Sequence, residues 1–234
     1  MTMLAACGGG GGAAGTADTS QPAAGTFPIQ TALSYVFTHG LQKTFNVTGT
    51  AGTGSNLLPI TGSVTFTSGT AASTTFNSLA AQQVTQTLVG SLTVAGQSVP
   101  LSTTSFIQLN ASYAELGTTG SGTGSNDYCV VSSGGTFPAY VAAGQTGTIS
   151  TFSCYTDSSK SVPTGSVTET YVARAGNAAN TLDFQLIDMV YDTSKQLVET
   201  QGTTYNVNSA GVTTVTQVNI SGTQDGIAVT ITGQ

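Results

Sequence analysis

The chain has 234 residues, of which only 6% are charged, against roughly a quarter in an average soluble protein. The four basic residues are scattered along the chain, and the formal net charge is -6. Binding to nucleic acid needs clustered basic residues that neutralise phosphates, so this composition excludes nucleic acid as a partner. Polarity comes mainly from uncharged residues, including 43 threonines, whose β-branched side chains favour strands.

The first seven residues end in the letters LAAC, and five glycines follow directly. This stretch resembles the lipobox of bacterial lipoproteins, in which the signal peptide is cut before a cysteine whose thiol then receives lipid. By that resemblance residues 1–7 are a signal-peptide remnant with its lipobox, Cys7 is the lipid anchor, and Gly8 favours the outer membrane. Residues 8–26, rich in Gly, Ala and Thr, are typical of a flexible tether. We predict a single all-β domain over residues 27–234.

In the first half of that domain, alternating apolar and polar residues predict five strands. These cover residues 29–37, 43–49, 62–68, 84–94 and 104–113. Residues 77–83, NSLAAQQ, are predicted as a helical turn capped by Asn77, because Ala and Gln are tolerated well in helices. No long helix is expected anywhere in the chain.

Two cysteines, Cys129 and Cys154, lie in the strand-like segments NDYCVV and STFSCYT. Once Cys7 is assigned to the lipid, they form an even pair, and exported proteins commonly oxidise such pairs. We therefore predict a disulfide bond between them, with two buried free thiols as the alternative. A metal site is a weaker interpretation, because the thiols are 25 positions apart and the single histidine is distant in sequence.

The last third of the chain predicts a five-stranded antiparallel meander, because five alternating segments are joined by hairpin-sized connections. The predicted strands cover residues 166–174, 181–191, 197–207, 212–220 and 227–232. A β-bulge near Leu186 is predicted to turn the apolar residues on both faces of the second strand inward. The residues expected inside are Val167, Tyr171, Leu182, Phe184, Leu186, Met189, Tyr205 and Val218. The fold class is therefore all-β and antiparallel with little helix, either a β-sandwich or a curved, barrel-like sheet.

Few residues offer catalytic chemistry. The chain has no G-x-S-x-G segment, and His39, in THGLQ, is predicted to be an exposed turn residue. Carboxylates that could pair as in a glycosidase are Glu115, Glu169, Asp183, Asp188 and Glu199. Sugar enzymes usually also present Trp platforms, and this chain has no Trp. We predict that Glu169 and Glu199 lie on solvated strand faces, and we assign no catalytic residue and no cofactor.

The sequence also predicts no metal site. Asp157 and Asp192 each begin a loop that contains one acidic residue and one lysine, whereas calcium needs several oxygen ligands at close spacing. An aspartate at the start of a turn accepts hydrogen bonds from its own backbone, which explains both residues without a metal.

Together, LAACGGGGG, the tether and the Thr-rich body resemble uncharacterised exported lipoproteins of Gram-negative, β-proteobacterial type. The segment GQTGTISTFSCYTDSSKSVPTGSVTETYVA, residues 144–173, followed by VYDTSKQL, carries that resemblance most strongly. The group has no assigned activity, and its members attract interest as surface antigens.

The resemblance implies a non-catalytic outer-membrane protein, on the periplasmic or surface face, that is held in the membrane by its lipid and acts in envelope structure or surface interaction. A carrier of an apolar small ligand in a curved sheet is the alternative function, and a hydrolase is the third.

Overall fold

The structure is a computed structural model, and it describes residues 25–121, 127–224 and 226–234. Within these ranges the chain forms one helix, α1 (Ile29–His39), and fifteen strands. The strands are β1 (Thr26–Pro28), β2 (Leu41–Thr53), β3 (Asn56–Ser68), β4 (Ala72–Phe76), β5 (Leu79–Val94), β6 (Gln97–Leu109), β7 (Glu115–Ser121), β8 (Tyr128–Gly134), β9 (Tyr140–Ala142), β10 (Thr146–Tyr155), β11 (Pro163–Ala175), β12 (Thr181–Tyr191), β13 (Leu197–Asn208), β14 (Thr213–Gln224) and β15 (Ile227–Gly233). The predicted signal-peptide remnant, Cys7 and nearly all of the predicted tether lie outside the described residues.

Thirteen strands form one antiparallel sheet in the order β3-β2-β15-β14-β13-β12-β11-β10-β8-β7-β6-β5-β4. β3 also pairs with β5, so every strand of this sheet except β4 belongs to a closed ring of hydrogen-bonded strands. β4 pairs with the first residues of β5, beyond the part that contacts β3. The predicted all-β, antiparallel fold class is confirmed. Of the two architectures that the sequence left open, the structure has the curved, barrel-like sheet.

The two ends of the ring differ. Because neighbouring strands are antiparallel, the hairpins β2–β3, β5–β6, β10–β11, β12–β13 and β14–β15 all turn at one end, which we call the hairpin end. At the other end, the helix end, lie α1 and a small sheet of β1 and β9. Ile29 N donates a hydrogen bond to Ala139 O (3.0 Å), and Gln30 Nε2 donates one to Phe137 O (2.8 Å). These bonds hold α1 against the loop between β8 and β10.

The segment 29–37, predicted as a strand, is helical. Its apolar residues satisfy a period of two as well as helical spacing, so the sequence pattern is ambiguous. The buried side chains follow the helical spacing: they are Ile29, Ala32, Leu33, Val36 and Phe37. The inward-facing side chains of the strands can fill a ring of about eight strands, whereas a wider ring leaves room inside. α1 packs into the same hydrophobic core as the strands and fills the helix end of this wider ring.

The predicted helical turn at 77–83 is also wrong. β5 begins at Leu79, and a two-residue hairpin turn at Asn77 and Ser78 connects it to β4. Both turn residues have positive φ, 48° and 65°, as a type I′ turn requires. The asparagine therefore serves as a turn residue and not as a helix cap.

The predicted C-terminal meander is confirmed. β11, β12, β13, β14 and β15 pair consecutively and antiparallel, and they span residues 163–233. The bulge near Leu186 is absent, because the register of β11 and β12 runs unbroken from Ser166↔Tyr191 to Ala175↔Leu182. Leu182 and Met189 therefore point to opposite faces, and Met189 lies on the outer face, where Tyr191 Oη contacts its sulfur (3.6 Å).

Seven of the eight residues predicted to face the core do so. Leu182, Phe184, Tyr205 and Val218 are buried in the main core, and Tyr171 and Leu186 pack against it. Val167 packs against a smaller cluster around Phe152. Met189 is the exception, because the predicted bulge does not form.

The disulfide bond between Cys129 and Cys154 is present, as predicted. The two cysteines are direct partners in the register of β8 and β10, with their Cα atoms 4.0 Å apart. Both are buried beside Phe152. A bridge that closes a loop of this length stabilises a fold by about 3.5 kcal/mol on the chain-entropy model.

The opposite orientations of Phe184 and Met189 on one strand lead to a test. Phe184→Ala should lower the free energy of unfolding by about 3–5 kcal/mol, because it leaves a cavity in the core. Met189→Ala, on the outer face of the same strand, should cost about 1 kcal/mol or less. Urea unfolding at pH 6 measures both. Equal losses for the two variants would contradict the unbroken register of β12.

Candidate functional site

Three of the carboxylates considered for catalysis meet inside the ring, and a fourth lies beside them. Glu169 on β11 and Asp188 on β12 are direct cross-strand partners, so they share a face of the sheet. Glu115, at the start of β7, approaches Glu169 beside β8 and β10, the two strands that separate β7 from β11, and Glu199 on β13 acts electrostatically on Asp188. We call Glu115, Glu169, Asp188 and Glu199 the interior acidic cluster.

Strand alternation places the cluster on the inner face. Glu169 has the parity of Tyr171 and Ala173, which pack in the core, and Asp188 has the parity of Phe184 and Leu186. Glu169 is only 6% exposed. The prediction that it lies on a solvated face is therefore wrong. Its parity with Val167 and Tyr171, both predicted to be inside, was the sequence signal that could have placed it correctly.

Hydrogen bonds connect the cluster to itself and to the wall. Ser150 Oγ donates to Glu115 Oε2, and the carboxyl groups of Glu115 and Glu169 are hydrogen-bonded to each other. Such a bond between two carboxyl groups requires a shared proton. Near the hairpin end, Gln201 Nε2 donates to Glu199 Oε1 (2.7 Å). Within the described residues, Glu169 Oε2 has no hydrogen-bond partner.

Burial keeps protons on this cluster. It raises the pKa of Glu169 well above its usual range, and the charges of Glu115 and Asp188 raise it further. Burial also raises the pKa of Glu115, against the opposing effect of hydrogen bonds from Glu169 and Ser150. The pKa of Asp188 rises to about 7, first through burial and then through the charges of Glu115 and Glu199. The cluster therefore retains protons at neutral pH.

Aromatic residues lie next to the carboxylates on the same inner face. Tyr171 and Phe184 are stacked, with ring centroids 5.3 Å apart. Tyr205 on β13 is buried on the same inner face, as the register partner of Phe184. Burial raises the pKa of Tyr205, as do the charges of Glu169 and Asp188, so this hydroxyl remains protonated.

Several inward-facing side chains are exposed toward the hairpin end. Gln201 is exposed although its register partner on β12 is Asp188, and Asp188 itself is only partly buried. By strand parity Leu58, Val99 and Ile227 also face inward near the hairpin turns, yet they are 48%, 44% and 45% exposed. Exposure thus increases from the cluster toward the hairpin end.

Two other candidate residues lie elsewhere. Asp183 is on the outer face of β12 and accepts a hydrogen bond from Asn206 Nδ2 (2.7 Å). His39 is exposed, as predicted, but it is the last residue of α1 and its ring stacks on Tyr35 at 4.3 Å. Neither residue belongs to the cluster.

The contact between Glu115 and Glu169 does not fit the carboxylate pair of a glycosidase. Glycosidases hold their two carboxyl groups about 5–9.5 Å apart so that the bond to be cleaved can lie between them. Here Glu115 and Glu169 are hydrogen-bonded to each other. Among the described residues, no group of three or more His, Cys, Asp or Glu side chains is arranged to hold a metal ion.

No family model, curated protein or solved structure matches the chain. The site is therefore interpreted from its own geometry.

The raised carboxyl pKa values imply that stability depends on pH. Groups whose pKa is raised on folding stabilise the fold fully below their unfolded values near 4, and this contribution is lost as pH rises through the folded values. Asp188 places that loss near pH 7. The groups that face one another are Glu115, Glu169, Asp188, Glu199 and Tyr205. The temperature at the midpoint of thermal unfolding should therefore decrease as the pH is raised from 5 to 8.

Glu169→Gln should weaken this pH dependence, whereas Asp183→Asn on the outer face should leave it unchanged. A decrease of about 2 kcal/mol in the free energy of unfolding lowers the midpoint temperature by roughly 4–8 °C for a protein of this size. Calorimetric scans of the three proteins at both pH values measure the effect. A midpoint that rises with pH over this interval would contradict the assignment of protons to the interior.

Proposed function

We propose that this chain is an outer-membrane lipoprotein, anchored by lipid on Cys7, with a non-catalytic role in surface interaction. The anchor is supported by the LAAC sequence and by the Gly/Ala-rich tether. Two further features are consistent with an exported protein: the Cys129–Cys154 disulfide and the very low content of charged residues. Within the described residues, no helix has the length and hydropathy for a membrane span.

A group of exposed apolar residues at the hairpin end carries the proposal. Six large apolar side chains near the hairpin end are between 44% and 55% exposed. They are Leu57, Leu58, Val99, Val162, Leu197 and Ile227. β1, which follows the tether, lies at the helix end. A chain anchored through the tether would be attached at the helix end, and the apolar hairpin end at the opposite end of the ring would be available for contact, as interaction surfaces are.

The interior of the ring argues against the two alternative functions, a carrier of an apolar ligand and a hydrolase. A carrier of a purely apolar ligand would need an apolar cavity, whereas this interior contains four carboxyl groups. A glycosidase would need its two carboxylates apart, whereas Glu115 and Glu169 are in contact. The non-catalytic surface role agrees best with both observations.

The anchor can be tested in a Gram-negative host that expresses the complete gene product. The wild-type protein should partition with the outer membrane and carry an acylated Cys7, because several acyl chains are needed for stable attachment. Cys7→Ser should release the protein into the periplasm. The double variant Cys129→Ser/Cys154→Ser is the matched control and should stay in the membrane fraction. Unmodified wild-type protein in the cytoplasm would refute the proposal.

The contact role of the hairpin end can be tested in the same cells. A photoreactive benzoylphenylalanine in place of Leu197 should give an adduct of defined mass on illumination, because this side chain is 55% exposed near the hairpin end. The same replacement at Val89, which is 49% exposed on the outer wall of β5, is the control and should give none. Adducts of equal yield at both positions, or none at Leu197, would contradict a contact surface confined to the hairpin end.

A further inference from the structure

Among the described residues, the interior acidic cluster has no positively charged partner. All four basic residues of the chain are exposed: Lys43, Lys160, Arg174 and Lys195. Arg174 donates to Gln185 (3.0 Å) on the outer face, and Lys160 donates to Asn77 (2.9 Å) in a turn. Carboxylates held in a protein interior are ordinarily paired with cations or neutralised by protons. Here protons alone perform that role.

Two buried oxygen atoms on the inner face also lack a partner. Glu169 Oε2 has no hydrogen bond within the described residues, and neither has Ser68 Oγ, which is 1% exposed. Ser68 is the last residue of β3 and the register partner of Gln86, and it faces the interior. A buried acceptor without a donor costs about 1–3 kcal/mol, and a ligand that donates hydrogen bonds would remove that cost.

Between Glu169 and the hairpin end, one side of the ring presents polar and acidic side chains and another side presents apolar side chains. Gln201 and Asp188 form the accessible part of the acidic side. The inward-facing apolar side chains near the hairpin turns, Leu58, Val99 and Ile227, form the other. A ligand that enters from the hairpin end would meet both surfaces together.

We propose that the interior acidic cluster binds a primary ammonium group whose hydrocarbon part lies against the apolar side chains at the hairpin end. The ammonium supplies three hydrogen-bond donors and the positive charge that the cluster lacks. A metal ion fits less well, because the described residues offer no group of three metal ligands. The stacked rings of Tyr171 and Phe184, on the same inner face, add an aromatic surface that attracts organic cations.

Binding is accompanied by release of protons. The cluster must give up a proton from Asp188, or the proton that Glu115 and Glu169 share, before a full positive charge is favoured between them. A primary ammonium stays protonated at pH 5 and at pH 8, so affinity should increase between these values. This interior site does not depend on the lipid anchor, and its test is separate from that of the proposed function.

The probe is octylammonium chloride, titrated calorimetrically into the full-length Cys7→Ser chain with its disulfide intact. Binding at pH 8 should exceed binding at pH 5, and the observed heat should vary with the ionisation heat of the buffer, because protons are released. Asp188→Asn and Glu169→Gln should each weaken binding at least about tenfold, the loss expected for one buried charged contact. Asp183→Asn, on the outer face of β12, should leave the affinity unchanged.

Octanol, octanoate and calcium chloride are the comparison ligands. Octanol that binds as tightly as octylammonium would overturn the proposal in favour of a merely apolar site, and calcium that competes with octylammonium would overturn it in favour of a metal. Unchanged affinity in Asp188→Asn, or no binding of octylammonium at pH 8, would also overturn it. Circular dichroism shows that each variant is folded, and the amide replacements are expected to fold because they neutralise a buried acid.

Discussion

The pairing of β3 with β5 is the contact on which the rest of the structure depends. It runs without a register shift from Ile60↔Val94 to Ser68↔Gln86 and turns an open sheet into a ring. The two strands lie so close that a Cβ at Gly62 would be 2.2 Å from Ser91 O, and one at Gly90 would be 2.1 Å from Ser63 O. A side chain at either position would push the strands apart, so closure requires both glycines.

Closure also determines what the interior contains. Once the sheet is a ring, every second residue of each strand points into an enclosed space. At the helix end that space is filled by α1 and by aromatic and aliphatic side chains. Farther along lie the carboxylates of Glu169 and Asp188, whose charges raise the pKa of the buried Tyr205 hydroxyl. The acidic cluster is thus a product of the closed topology.

The parts of the fold that the sequence predicted correctly are the local ones. Each pair in the meander from β11 to β15 is a hairpin, so alternation and short connections suffice to predict it. The helix α1 could not be predicted in the same way, because the apolar residues of 29–37 fit two periods and only the width of the ring favours the helix. The prediction of a bulge was wrong because Ile187 and Met189 are partly buried on the outer face, so these apolar residues did not have to turn inward.

The candidate site was hidden for a related reason. The parity of Glu169 and Asp188 was visible in their own strands, but the approach of Glu115 depends on the path of the chain around the ring, which no local pattern reveals. A structural core would gain stability from an apolar residue at position 169, between Val167 and Tyr171 on the inner face. Proteins break such local rules chiefly where a function requires it. Acidic groups that lack a cationic partner among the described residues are therefore better explained by a ligand than by packing.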